Sequence, residues 1–216
     1  MGVLFPDPET ADAGGLLAVG GDLSPQTLLS AYTRGIFPWF NAGDLILWWS
    51  PDPRMVLFPD AFHTSRRLAR RIRQGRFQVT WNTAFGEVMR ACAAPRSGQA
   101  GTWITEEMVS AYTRLFDMGR AQSVEVRADG TLCGGLYGVH IGCAFFAESM
   151  FSRVTDASKV ALAHLVHRAR QEGWLFIDCQ FYTDHLASLG AREIPRSAFL
   201  ALLRQALAGC GSVTPR

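Results

Sequence analysis

Between Arg34 and Arg54 the chain reads Arg-Gly-Ile-Phe-Pro-Trp-Phe, a short polar gap, then Leu-Trp-Trp-Ser-Pro-Asp-Pro-Arg. Pro38, Pro51 and Pro53 forbid one continuous helix here, because each lacks a backbone N–H and its ring collides with the preceding turn. The window holds Trp39, Trp48 and Trp49, three of the chain's six tryptophans. Large flat side chains on a proline-stiffened backbone make a rigid platform. Such a platform serves either as a core plug or as a surface that stacks bases and clamps apolar groups.

The 216-residue chain has the apolar content for a full core, with 48% hydrophobic residues. That length suits one ordinary domain, or a large one with a small addition. No apolar run reaches the roughly 18 residues of a membrane span. The opening Met-Gly-Val-Leu-Phe-Pro lacks the basic and apolar regions of a signal peptide, and Pro6 replaces the Ser or Thr of a myristoylation signal. Five cysteines, with no Cys-x-x-Cys and no His-x-x-x-His, argue against structural zinc. Free thiols in a reducing cytosol are the expectation. Net charge is only +2, and Lys159 is the single lysine among the basic residues. Arginine's planar fork can grip a phosphate in two places.

Along the chain, Ser24 can cap a helix with Pro25 at its first position and Gly35 near its stop. A second helix is expected from Thr64 or Ser65. It carries Arg66, Arg67, Arg70, Arg71 and Arg73 with no acidic residue among them. Leu68, Ala69 and Ile72 form its apolar seam. A solvated helix face normally mixes signs, so this face points to an anion-binding role, nucleic acid foremost. Strands are expected at residues 77–81, 123–127, 131–139, 143–149 and 174–180. Helices are expected at 83–92, 105–118, 156–171, 184–189 and 197–208. Residues 96–101 read as a flexible loop delivering Trp103. This order predicts a mixed sheet with helices on its faces, and allows parallel pairing across residues 143–180.

Two carboxylates interrupt apolar strands. Alternation places Phe146, Glu148 and Met150 on one face, and Phe176, Asp178 and Gln180 on another. A buried glutamate needs a partner. Glu148 is therefore either salt-bridged to Arg153 or Lys159, or it forms the floor of an apolar pocket for a cationic or amine-bearing substrate. Asp178 and Gln180 either cap the strand end or orient an amine and accept its proton. Cys179, turned away from both, reads as an inert buried thiol rather than a nucleophile with His185 as base.

Taken together, several ordered blocks resemble the bacterial leucyl/phenylalanyl-tRNA–protein transferases over nearly the whole chain. They are Gly15-Leu-Leu-Ala-Val-Gly-Gly-Asp-Leu23, Ala31-Tyr-Thr-Arg-Gly-Ile-Phe-Pro-Trp-Phe40, Leu47-Trp-Trp-Ser-Pro-Asp-Pro-Arg54 and Gly101-Thr-Trp-Ile-Thr105. Glu148-Ser-Met-Phe-Ser-Arg153, Ala157-Ser-Lys159, Ile177-Asp-Cys-Gln180 and His185-Leu-Ala-Ser-Leu-Gly190 complete the set. The resemblance implies an α+β fold: a small N-terminal domain over residues 1–53, then an acyl-CoA N-acyltransferase-like domain over 54–216 with a central mixed sheet flanked by helices. It implies a cytoplasmic, monomeric aminoacyltransferase that needs no metal or free coenzyme. Its partners would be aminoacyl-tRNA carrying Leu, Phe or Met, and proteins that begin with Arg or Lys and are thereby marked for degradation.

Site roles follow from the same resemblance. Gln180 would contact the amine, Asp178 would orient it, and Glu148 would bind the incoming cationic terminus. Trp39 and Trp103 would meet the terminal adenosine, with Tyr32 and Tyr112 nearby. Leu136, Phe145, Met150, Leu162 and Ile177 would line the aminoacyl pocket. Arg66, Arg67, Arg70 and Arg71 would grip acceptor-stem phosphates. Outside that resemblance, the packing reading of the aromatic window goes to Trp48 and Trp49, which with Pro51, Pro53 and Arg54 would lock the small domain onto the large one. Two alternatives remain at this point. A conventional acyl-CoA N-acyltransferase is disfavoured because Arg170-Gln-Glu-Gly-Trp-Leu175 fails the last position of the pyrophosphate loop of that class. A non-catalytic tRNA-binding module leaves Glu148, Asp178 and Gln180 without a purpose.

Overall fold

In the computed structural model, which describes residues 4–94 and 102–209, the prolines of the opening window divide two sheets. Strands β1 (Leu16–Val19), β2 (Phe37–Pro38) and β3 (Leu47–Trp49) form a small antiparallel sheet ordered β1-β3-β2. Helix α1 (Pro25–Tyr32) starts as its sequence predicts, with the Ser24 hydroxyl accepting from Thr27 N–H and Pro25 at the first turn. The Trp48 indole is buried edge-on against Phe5, and its N–H donates to Gly20 O at 2.8 Å. Immediately after the prolines, β4 (Arg54–Leu57) enters a second sheet.

That sheet has seven strands. Besides β4 they are β5 (Gln78–Trp81), β6 (Ala121–Ala128), β7 (Thr131–Ile141), β8 (Ala144–Ser152), β9 (Phe176–Gln180) and β10 (Arg192–Ile194). Their order is β10-β4-β9-β8-β7-β6-β5. Only β8 and β9 run parallel; every other pair is antiparallel. Helix α5 (Ala157–Glu172) is the crossover between the parallel pair, as a parallel connection requires. One face of the sheet carries α5 and the arginine helix α2 (Arg66–Arg73) through Leu68, Val160, Leu162 and Leu165. The other carries α1, α3 (Phe85–Ala93), α4 (Glu106–Asp117) and α7 (Arg196–Ala208). Trp48 and Phe37 of the small sheet, and Phe5 before it, belong to this second buried cluster, together with Phe146 and Phe176. The fold is therefore mixed α+β, a large mixed sheet flanked by helices.

Three local expectations need correction. Strands β4 and β10 are absent from the sequence reading: Arg54-Met-Val-Leu57 is buried on both faces and so shows no alternation, and β10 is only three residues long. The strand expected from Trp174 begins at Phe176. Gly173 adopts φ 69° and Trp174 N–H still bonds back to Ala169 O, so these residues end the helix. Finally, Cys133 and Cys179 are free as expected, but Cys143 is disulfide-bonded. Cys143 N–H also donates to Ala206 O of α7. The loop expected at 96–101 lies outside the described residues.

Gly190 is required where α6 (Asp184–Ser188) turns into β10. Its φ is +98°, and a Cβ there would stand 2.1 Å from Ala61 O. Gly190→Ala is expected to lower unfolding free energy by about 2 kcal/mol or more, in the upper range of single substitutions. A denaturant midpoint equal to the parent's would refute the close approach.

Candidate active site

The parallel pairing of β8 and β9 is short: Ala144 with Phe176, Phe145 with Ile177 and Phe146 with Asp178. Immediately beyond it, both strands bulge against their outer neighbours. On β8, Gly138 pairs with Ala147 but Tyr137 pairs with Ser149, which leaves Glu148 as the extra residue. On β9, Val56 pairs with Asp178 but Met55 pairs with Gln180, which leaves Cys179 extra. A bulge bends its strand and re-aims side chains. Two adjacent bulges at one level open a cleft between the strands, at the carboxyl end of β9, where open sheets hold ligands.

Two hollows share that cleft. One, about 210 Å³, has an aromatic wall of Phe37, Trp39, Trp103 and Phe181. The other, about 360 Å³, is lined by Leu136, Met150, Leu162 and Leu186, with Thr183 and His185 among its polar groups. Glu148, Gln180, Trp103 and Cys179 border both. Trp39 is 42% exposed. Phe181 lies 5.6 Å from the Phe37 ring and 5.4 Å from Trp39, and the Trp49 indole N–H donates to Trp39 O at 2.7 Å. The exposed ring is thus braced by the half-buried Trp49 and Phe181 rings.

Glu148 has no salt bridge to Arg153 or Lys159. Its Oε1 accepts from the Tyr32 hydroxyl at 2.7 Å and its Oε2 from the Tyr112 hydroxyl at 3.2 Å. The two hydroxyls also bond each other, and because they carry only two protons between them, closing all three contacts takes a proton on the carboxyl, which then donates in one of the two Glu148 contacts. Burial pushes the Glu148 carboxyl up to about 8, against the opposing pull of the Tyr32 hydrogen bond, with the Asp178 charge adding to the rise. Tyr32 and Tyr112 are fully buried. The expected contact with an adenosine is therefore corrected: neither offers a ring face to the cleft, and each instead fixes one carboxylate oxygen.

Asp178 is also withdrawn from the cleft. It is fully buried in a bidentate pair with Arg54, Nε to Oδ1 at 2.8 Å and Nη2 to Oδ2 at 2.6 Å. The Arg54 guanidinium lies over the Phe37 and Phe199 rings at 4.7 and 4.4 Å and donates to Gly35 O. Asp178 Oδ1 also accepts the Gln180 backbone N–H at 3.1 Å. Gln180 takes a left-handed φ of 57°, a strained value for a non-glycine residue. Its side chain is 9% exposed, and its Nε2 has no hydrogen-bond partner among the described residues. This amide borders the cleft with donor capacity unused. The Cys179 thiol is pushed up by burial, which makes it inert.

Some expected pocket residues stand elsewhere. Leu136, Met150 and Leu162 line the larger hollow, but Phe145 and Ile177 are buried behind it, Phe145 stacked on Trp174. The β8 bulge also parts Met150 from Phe146. The two fall in opposite hydrophobic clusters, so simple alternation through Glu148 fails. Phe37, Phe181, Thr183, Leu186 and His185 as lining residues were missed. Their signal was position, since Phe181–Leu186 directly follow the carboxyl end of a buried strand. On α2, Arg67 and Arg71 approach Asp156 at 3.1 and 3.8 Å, while Arg66 and Arg70 are exposed with no ion pair among the described residues.

Residues 56–204 match the leucyl/phenylalanyl-tRNA protein transferase family, and residues 21–52 match that family's N-terminal domain. The leucyl/phenylalanyl-tRNA–protein transferase of Nitrosomonas europaea is 60% identical over 203 residues, covering 93% of this chain and 86% of that one. Its namesake from Chromobacterium violaceum is 58% identical over 191 residues, covering 88% and 82%. Among solved structures, a GCN5-related N-acetyltransferase from Kribbella flavida matches with a TM-score of 0.40 at 10% identity, covering 80% of this chain and 61% of that one. Both segments of the sequence and the full-length relatives agree: the chain belongs to the leucyl/phenylalanyl-tRNA protein transferase family and is an aminoacyltransferase.

Proposed function

We propose that the chain moves Leu, Phe or Met from its tRNA ester to the N-terminal α-amine of cytoplasmic proteins that begin with Arg or Lys, marking them for degradation, and that it works as a monomer. One observation supports this most: an aromatic hollow and an apolar hollow adjoin, and Glu148 and Gln180 border both. In this reading the terminal adenosine stacks on Trp39 and Trp103. The donor side chain fills the space between Leu136, Met150 and Leu162, and the basic acceptor terminus approaches Glu148. Arg66, Arg67, Arg70 and Arg71 meet the acceptor-stem phosphates. The N-terminal segment to residue 53, carrying Trp39, closes the cleft as a domain of its own against residues 54–216.

The chemistry needs no enzyme-bound intermediate, because the aminoacyl ester is already activated. The neutral amine attacks the ester carbonyl, the carbon–oxygen bond to the ribose breaks, and the ribose oxygen leaves with a proton. An α-amine with pKa near 7.7–8.0 supplies the neutral nucleophile. Gln180 holds the amine on the attack line, and Asp178, through the Gln180 backbone N–H, fixes where that residue stands. Positioning of this kind supplies much of an enzymatic rate.

The deciding assay mixes the purified protein, Leu-tRNA and a peptide beginning with Arg. Leu-Arg product should form, and the same peptide beginning with acetyl-Arg should give none. Trp39→Ala is expected to weaken Leu-tRNA binding by about 10- to 100-fold, the worth of one base–aromatic stack of ~1–3 kcal/mol. Titration of tRNA against intrinsic fluorescence checks it, and unaltered affinity would remove Trp39 from the donor site.

A further inference from the structure

Arg153 closes the Glu148-Ser-Met-Phe-Ser-Arg153 block, yet it neither pairs with Glu148 nor lines the cleft. It turns to a separate hollow of about 410 Å³, lined by Glu87, Arg90, Ala91, Arg127, Thr131, Leu132 and Arg153. Arginines from three separate elements meet there: Arg90 from α3, Arg127 from β6 and Arg153 from just past β8. Two of them are anchored by backbone carbonyls. Arg153 Nη1 donates to Leu132 O at 3.2 Å, and Arg127 Nη1 donates to Gly130 O at 3.3 Å. The Arg153 guanidinium also lies 5.4 Å from the Phe151 ring centre. Glu87, 3.8 Å from Arg127, is the one acidic side chain on the wall. Three cations against one anion leave the hollow positive, and carbonyl contacts do not neutralise guanidinium charge.

Its place in the fold matters as much as its charge. Asp156, the residue that Arg67 and Arg71 of α2 approach, is only three residues past Arg153. Three residues span at most about 11 Å. The arginine face of α2 and this hollow therefore flank one short turn, α2 on one face of the sheet and the α3 side of the hollow on the other, with Asp156 between them. Arg153 is also five residues along the chain from Glu148, which is roughly 17 Å of strand. A polyanion whose end lies in the cleft therefore has the hollow within a short span of its own chain.

We infer that the Arg90–Arg127–Arg153 hollow is a phosphodiester-binding site that carries the tRNA backbone beyond α2, across the 153–156 turn. This rests on the donor being tRNA. Arginine forks suit phosphate oxygens in two-point contacts, and contacts of this kind set affinity and register without reading bases.

The test compares the parent with R90Q/R153Q, and with R90E, which leaves the carbonyl anchors untouched. Leu-tRNA binding is measured across a salt series, and transfer is measured from Leu-tRNA and from a short aminoacylated CCA oligonucleotide. Thermal melts confirm folding. Losing two phosphate contacts should reduce the slope of log affinity against log salt by about 1.4–1.8. Affinity for whole tRNA should fall about ten-fold, while transfer from the short donor stays at parental rate. R90E should weaken whole-tRNA binding in the same direction. An unchanged salt slope in both folded variants overturns the site, as does an equal loss with the short donor. A parent that binds tRNA but forms no Leu-Arg product would instead defeat the proposed reaction, while the change in salt slope would still decide for or against the hollow.

Discussion

Arg54→Ala should destabilise the fold by about 3–5 kcal/mol, because it strands the buried Asp178 carboxylate without its partner. For a chain of this size that corresponds to a fall in melting temperature of roughly 6–20 °C. The side chain does three jobs that alanine cannot do. It holds both Asp178 oxygens, it donates to Gly35 O, and it fills the space between the Phe37 and Phe199 rings. Arg54→Lys retains a charge but loses the planar fork, so it should recover only part of the stability. The informative variant is the double replacement Arg54→Met with Asp178→Leu. Apolar replacement of both partners of a buried pair is often neutral for stability, so this protein should fold nearly as well as the parent. It should still transfer poorly, because Gln180 N–H loses the Asp178 oxygen that fixes its left-handed backbone. Chemical denaturation and single-turnover transfer, measured on the same preparation, separate the two effects. If the double variant is both stable and fully active, the ion pair is scaffold alone and Asp178 has no part in placing Gln180.

That pair also shows where the sequence was legible and where it was not. Caps, stops and strong periodicity were readable in advance. Ser24, Ser65 and Thr105 cap helices where expected, and each side-chain oxygen accepts a backbone N–H. The β6–β7–β8 meander also stands where expected, with β7 and β8 each running two or three residues further. These features are local, so the local sequence carries them. Contacts between distant segments were not readable. Arg54 and Asp178 are 124 positions apart, and nothing in either neighbourhood announces the other. The bulges were hidden for a different reason. Period-two alternation assigns each residue to a face, and one inserted residue reverses every assignment after it. Glu148 was singled out correctly as a carboxylate in an apolar run, while its neighbour Met150 was put on the wrong face by the same rule. The tyrosines illustrate both effects, because an aromatic residue near a site in sequence looks like a stacking surface until the fold buries its ring and leaves only its hydroxyl to act.

Glu148→Gln should separate stability from activity, and pH should reveal how. In the free enzyme, burial holds the carboxyl at about 8, above the ordinary glutamate value near 4.3. Between those values the folded protein keeps a proton that the unfolded chain releases. Stability from this group is therefore fully present below about pH 4 and declines as pH rises towards 8. Glutamine cannot ionise, so the variant lacks that decline. The two proteins should melt alike at pH 4, and the variant should melt several degrees higher at pH 9, reflecting a difference on the order of a few kcal/mol. Transfer should move the other way, with a loss of about 10- to 100-fold, the worth of one charge-assisted contact of ~1.5–3 kcal/mol to the acceptor's basic terminus. The pH profile identifies the cause. If the reactive enzyme carries ionised Glu148 and the reactive peptide a neutral amine, kcat/KM depends on two deprotonations near pH 8. Its logarithm should then rise with a slope near 2 below pH 7. The variant retains only the amine, so its slope should be near 1. Equal slopes in parent and variant would mean that the carboxylate's charge is not used on encounter with the acceptor, and Glu148 would then serve only to hold the Tyr32 and Tyr112 hydroxyls in place.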